Sequence, residues 1–119
     1  MATDRQFRAA ALAFPDAEEG EHMGHADFRV RGRVFASLGV PTPGWAMVKL
    51  TPEQQAKVRK TDRDSLVPAA GAWGSRGATL VRLKSLRVSE VRALLELAWR
   101  NTAPAALLKA FEKETGLRP

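Results

Sequence analysis

The side chains of this sequence best suited to chemistry are its cations. Arg29, Arg31 and Arg33 surround an Arg31-Gly32 pair that reads as a tight turn. Arg82 and Lys84 alternate with Val81 and Leu83 in a later apolar stretch. Guanidinium and ammonium groups that project from strands and from a hairpin tip can follow phosphates or enter a groove. The pattern therefore points to a polyanion such as DNA. Lys57, Arg59, Lys60, Arg63, Arg76 and Arg87 thicken the same region, against only Asp62 and Asp64 between residues 57 and 87. A solvated, solubilising surface or a salt-bridged sheet face is the competing reading of the same residues. Aromatic residues placed for stacking unpaired bases are not evident, which turns the expectation away from single-stranded RNA platforms.

Other chemistry finds less support. His22 and His25, with Glu18, Glu19 and Glu21 nearby, suggest a metal site. A spacing of three along one strand, however, sends the two rings to opposite faces, and no helical H-E-x-x-H pattern unites them. No metal and no cofactor is expected. With no cysteine in the chain, thiol catalysis, disulfides and cysteine-based zinc sites are excluded. Its serines lack a G-x-S-x-G elbow, and it has no tyrosine. Asp62 and Asp64 read as turn and charge-balancing residues. The stretch from Gly71 through Trp73 and Gly74 to Gly77 resembles a phosphate-cradling loop, but it lacks the Gly-Lys-Ser/Thr ending. Its glycines read better as tight-turn residues, with Trp73 plugging the loop into the core and Arg76 left free for an anion. An enzyme would need a cleft bringing His22 or His25 onto a carboxylate, so none is expected.

These residues must be positioned by a chain of 119 residues, the size of one ordinary domain spanning 1–119. Apolar residues make up 45% and charged residues 27%, a globular mix with enough core to fold without staples. The net charge of +6 is uneven: residues 1–50 carry six basic and six acidic side chains, and residues 51–119 carry thirteen and seven. No signal peptide or membrane span is recognisable, so a cytoplasmic protein without a membrane partner is expected.

The elements follow from local signals. Thr3-Asp4-Arg5-Gln6 is a capping box, and Phe7, Ala10, Ala11 and Phe14 share one helical face until Pro15. Residues 16–21 read as an acidic, turn-rich lead into a short strand near Glu21 to His25, with a turn at Ala26-Asp27. Phe28 and Val30 alternate with Arg29 and Arg31, a half-buried strand that returns through Arg33 to Leu38. Pro41 to Gly44 is a loop, and Trp45 to Leu50 a fourth strand. Thr51-Pro52-Glu53-Gln54 caps a second helix, to about Lys60. Residues 62–76 read as irregular, and Thr79 to Lys84 as a fifth strand with Val81 and Leu83 inward. A third helix begins near Ser89, with Val91, Leu94, Leu95 and Ala98 as its apolar stripe and Arg92, Glu96 and Arg100 as a polar one. After a break at residues 101–104, a fourth helix carries Ala105, Leu107, Leu108 and Phe111, with Gly116 as its cap. Strands grouped in this way argue for an α+β fold.

Several blocks carry a resemblance. They are His22 to Val30 (HMGHADFRV), Arg33 to Leu38 (RVFASL), Val48 to Gln54 (VKLTPEQ), Gly71 to Gly74 with Gly77, and Ala98 to Pro104 (AWRNTAP). In this order they resemble the MmcQ/YjbR-like family over nearly the whole chain. The resemblance implies a two-layer CyaY-like fold, an antiparallel sheet of about five strands packed against helices. It also implies a DNA-binding role through hairpin wings, with Arg31-Gly32-Arg33 as the natural wing. It brings no catalytic residue set. Frataxin shares the CyaY-like fold and binds iron on an acidic ridge, but Asp16, Glu18, Glu19 and Glu21 are too few in a positive chain for iron binding to follow.

The expected function is weak, salt-sensitive DNA binding with little sequence preference, through Arg29, Arg31, Arg33, Lys57, Lys60, Arg76, Arg82 and Lys84. The alternative is a protein-protein interaction module, whose sign would be an exposed apolar patch around Trp45 or Trp99. The first reading requires the hairpin arginines, Arg82 and Lys84 to share one exposed surface.

Overall fold

The computed structural model describes residues 1–115, so Gly116 lies outside the described residues. Helix α1 (Asp4–Leu12) starts where Thr3 Oγ1 accepts from the Gln6 amide and the Gln6 side chain accepts from the Thr3 amide, the expected capping box. Phe7, Ala10 and Ala11 are buried along its inner face. Strands β1 (Ala17–His22) and β2 (His25–Val30) pair antiparallel, with His22 opposite His25.

That pairing corrects the expected turn. The chain reverses at Met23-Gly24, both at positive φ (52° and 82°), and Ala26 and Asp27 lie inside β2. The acidic residues 18–21 belong to β1, an edge strand that is mostly solvent-exposed, where charged side chains blunt further pairing. The second reversal falls where expected, at Arg31-Gly32. Their φ values of 51° and 83° suit the two-residue turn into β3 (Arg33–Leu38).

Strand β4 (Trp45–Lys49) leads to helix α2 (Pro52–Arg59), whose Thr51–Gln54 capping box also forms as expected. Residues 62–76 are more ordered than their composition suggests. They contain the short strand β5 (Leu66–Pro68) and a one-turn helix α3 (Gly71–Ser75). Strand β6 (Ala78–Arg82) ends in a 3-10 turn at Leu83–Ser85, and helices α4 (Val88–Thr102) and α5 (Ala105–Thr115) complete the described chain. The result is an α+β structure whose six strands form one antiparallel sheet in the order β1-β2-β3-β4-β6-β5. The extra strand, β5, is an edge strand that pairs only with β6.

Helices α1 and α4 pack on one face of this sheet. Phe28, Val30, Ala36, Val48 and Val81 point into that layer and meet Phe7, Val91, Leu95 and Trp99 in the core. Trp99 is fully buried and donates its indole N–H to the Pro15 carbonyl at 3.1 Å, so it cannot belong to an exposed patch. Phe14 and Phe111 close over the same indole, with centroids 5.7 and 4.8 Å away. Arg100 ties α4 to α5, donating to Glu96 and to Glu112 at 2.8 Å each. Those hydrogen bonds, the one to Glu96 foremost, raise the Arg100 pKa further and fix its charge.

Candidate functional site

Residues that alternate with the core positions form the opposite face, which no long helix covers. On β4 these are Trp45, Met47 and Lys49; on β6 they are Arg82, Leu80 and Ala78, which lie opposite them in that order. Lys49 and Ala78 sit at the end of the sheet where β2 turns into β3. Trp45 and Arg82 sit at the other end. The Arg82 guanidinium lies 5.6 Å from the centre of the Trp45 ring. Such cation–π contacts are worth about 0.5–1 kcal/mol at exposed sites, enough to orient a side chain without burying its charge.

A second pair forms at the other end. Trp73 stands on α3 with 56% of its surface exposed, and the Lys49 ammonium sits 5.8 Å from its ring centre. Trp73 therefore does not plug the core. The reason is how α3 docks. A Cβ on Gly74 would lie 1.8 Å from the Ala69 carbonyl oxygen, so the glycine side of this turn faces inward and the indole is left outside. The Gln55 side chain pins the same backbone, donating toward the carbonyls of Gly74 and Ala78 and the Thr79 hydroxyl at 3.1–3.2 Å. Gly77 adopts φ +113° and passes so close to Leu50 that a Cβ would come within 2.0 Å of its carbonyl oxygen. Gly74 and Gly77 thus serve close backbone approach, which the tight-turn reading of this loop did not include, while Gly71, at φ +68° with open space around it, fits that reading. Lys49, Leu50, Trp73, Arg76 and Ala78 line a cleft of about 350 Å³.

The eight expected contact residues do not form one stripe. Arg29 lies on the open face, but its guanidinium is forked onto Asp27, with Nε to Oδ1 at 2.8 Å and Nη2 to Oδ2 at 3.1 Å. That hydrogen bonding to the neighbouring carboxylate raises the Arg29 pKa. Gly20 leaves room for the fork, since a Cβ there would lie 2.9 Å from the guanidinium. Arg31 donates to Asp16 at 2.6 Å. Arg33 is exposed at the hairpin, Lys57 and Lys60 are exposed at the end of α2 in the helical layer, and Lys84 follows β6 at the opposite end of the sheet from the hairpin. The structure thus separates Arg31 and Arg33 from Arg82 and Lys84, contrary to the shared surface expected. Among the described residues, no carboxylate pairs with Arg33, Lys49, Lys57, Lys60, Arg76, Arg82 or Lys84.

Two members of the site escaped the sequence reading. Lys49 was legible in the Trp45-Met47-Lys49 alternation, which places all three on one face of a strand. Trp73 stands out in the sequence as well, but its exposure is set by the docking of α3 and by no local pattern. The histidines also differ from expectation. A hairpin turn lies between His22 and His25, so they are cross-strand neighbours and not residues on opposite faces. Among the described residues, no cluster of three or more His, Asp or Glu side chains is placed to hold a metal ion. No helix of the described residues is long and apolar enough to cross a membrane.

Comparison with known proteins bears on the fold and family. No curated protein matches the chain. The crystal structure of Deinococcus radiodurans protein DR2400, with its DUF419 domain, is similar over 99% of this chain and 91% of that one, with a TM-score of 0.74 at 20% identity. At that identity the likeness speaks for the fold alone. The sequence model of the YjbR family matches residues 12–101, from the end of α1 through nearly all of α4, including the whole sheet, the cleft and Trp73. The chain therefore belongs to the YjbR family.

Proposed function

We propose that this chain is a DNA-binding module and not an enzyme, and that it holds phosphates through Lys49, Arg76 and Arg82 on the open face. The observation that supports this reading is their placement: Lys49 and Arg76 line one cleft on the open face and Arg82 stands at the other end of that face, none of them with a carboxylate partner among the described residues, on a chain of net charge +6. An unpaired surface cation releases its counterion and the phosphate's when the two meet, whereas Arg29 and Arg31 must first give up Asp27 and Asp16. Of the residues expected from sequence, Arg76 and Arg82 are central to this reading and Arg33 is peripheral. Lys57, Lys60 and Lys84 supply long-range field only.

Fluorescence anisotropy with labelled DNA across a salt series tests the proposal. Affinity is expected to fall steeply between low and moderate salt. Arg76→Gln and Arg82→Gln should each flatten the log–log salt slope by about one unit. Arg31→Gln should change it less, because that cation is already paired. No binding at low salt, or affinity indifferent to salt, overturns the reading.

A protein-interaction module is the second reading. It is supported by a groove of about 570 Å³ between α2 and α4, whose apolar lining includes Val58, Leu66, Leu86, Leu94 and Leu97. DNA that perturbs the NMR signals of this groove and leaves those of Lys49 and Arg82 unmoved would contradict the open-face reading.

A further inference from the structure

We infer that the open face is a platform for single-stranded DNA, with unpaired bases stacked on Trp73 and Trp45. This rests on the phosphate-binding reading above and names its substrate class. Three observations on the same face carry it.

The first is the exposure of Trp73. An indole with 56% of its surface in water gives up burial that the fold could have used, even with the Lys49 ammonium 5.8 Å from the ring centre. Beside it stand Lys49 and Arg76, with no carboxylate partner among the described residues, and the three side chains line an open cleft of about 350 Å³. Base–aromatic stacking together with phosphate neutralisation is the general chemistry of single-strand binding.

The second is repetition. Trp45 with Arg82 repeats the indole-plus-cation pairing of Trp73 with Lys49, although Trp45 is half-buried where Trp73 is exposed. Trp45 and Lys49 lie four residues apart on one face of β4, about 13 Å at the usual rise of a strand. Met47, which is buried, and half-buried Leu80 lie between them. At that spacing the two units suit two unstacked bases of one strand with at least one nucleotide between them. Uncovered sheet faces that carry aromatic residues stack two or three bases in other single-strand readers.

The third is what a duplex would meet. Its bases are already stacked inside the helix, so neither indole gains a partner. The hairpin arginines and Arg82 stand at opposite ends of the sheet, and Arg31 there is already paired with Asp16.

The test uses the full chain at low salt with three probes: labelled oligothymidylate, a mixed-sequence duplex of equal length, and thymidine monophosphate. Oligothymidylate is expected to bind at least about tenfold tighter than the duplex and to quench Trp73 and Trp45 fluorescence, leaving buried Trp99 unaffected. Trp73→Ala should weaken oligothymidylate binding about 5- to 150-fold, the range for one stacked base, and change duplex binding by less than about twofold. Trp73→Phe should restore most of the loss, and an unchanged thermal melt shows that both variants fold.

If the duplex binds as tightly as the single strand, or Trp73→Ala leaves the single-strand affinity unchanged, the inference is overturned. The phosphate-binding reading then survives if Arg76→Gln still weakens both. If thymidine monophosphate binds as tightly as the oligomer, the ligand is a free nucleotide and the platform fails. If neither DNA form binds, both readings fall together.

Discussion

The two faces of the sheet are built from the same strands and do opposite things with them. On the covered face, Phe28, Val30, Val48 and Val81 are essentially solvent-free and interlock with Phe7, Val91, Leu95 and Trp99. On the open face, their immediate neighbours Arg29, Lys49 and Arg82 keep contact with water. The open face is itself divided. Toward β1 it is electrostatically closed, with Arg29 forked on Asp27 over Gly20; toward β6 it presents indoles and cations that have no carboxylate partner among the described residues. A strand's period of two lets one sequence serve stability on one side and recognition on the other with little interference. A substitution on the covered face should therefore cost the fold, and one on the open face should cost the ligand.

The sharpest way to break this comparison is at its centre of mass. Trp99→Ala removes a fully buried indole, its hydrogen bond to Pro15 and the surface on which Phe14 and Phe111 pack. It should lower the unfolding free energy in urea by about 3–5 kcal/mol. Gly77→Ala comes next, because it combines a positive φ with a collision against the Leu50 carbonyl. A loss of about 2–3 kcal/mol is expected in the same measurement, together with release of α3 and a shift in Trp73 fluorescence. Trp73→Ala should have the smallest effect on stability, below about 0.5 kcal/mol, since little packing is lost at an exposed site. A cost comparable to that of Trp99 would mean that the two faces are not distinct in function.

What could be read in advance was what depends on near neighbours in the chain. Both threonine capping boxes, the Arg31-Gly32 turn and the inward direction of Val81 and Leu83 follow from contacts a few residues long. The first hairpin was misplaced because residues 18–21 carry three glutamates on an edge strand, where composition resembles a loop. Strand β5 and helix α3 were missed because a three-residue strand and a one-turn helix have no period to recognise, and both exist only by pairing with β6 and α2. In the candidate site, Arg76 and Arg82 were visible as cations, whereas their lack of a partner was not.

The sequence by itself determined the α+β class, the caps, the alternation along the strands and the positive balance, because each is a matter of residue type and short spacing. Only the tertiary structure decided which cations are spent on carboxylates and which indole meets water. Asp16 reaches Arg31 across fifteen residues, and Trp73 is turned outward by the approach of Gly74 to Ala69. Charge pairing and exposure depend on what the rest of the chain brings to within a few ångströms, and no local pattern carries that information.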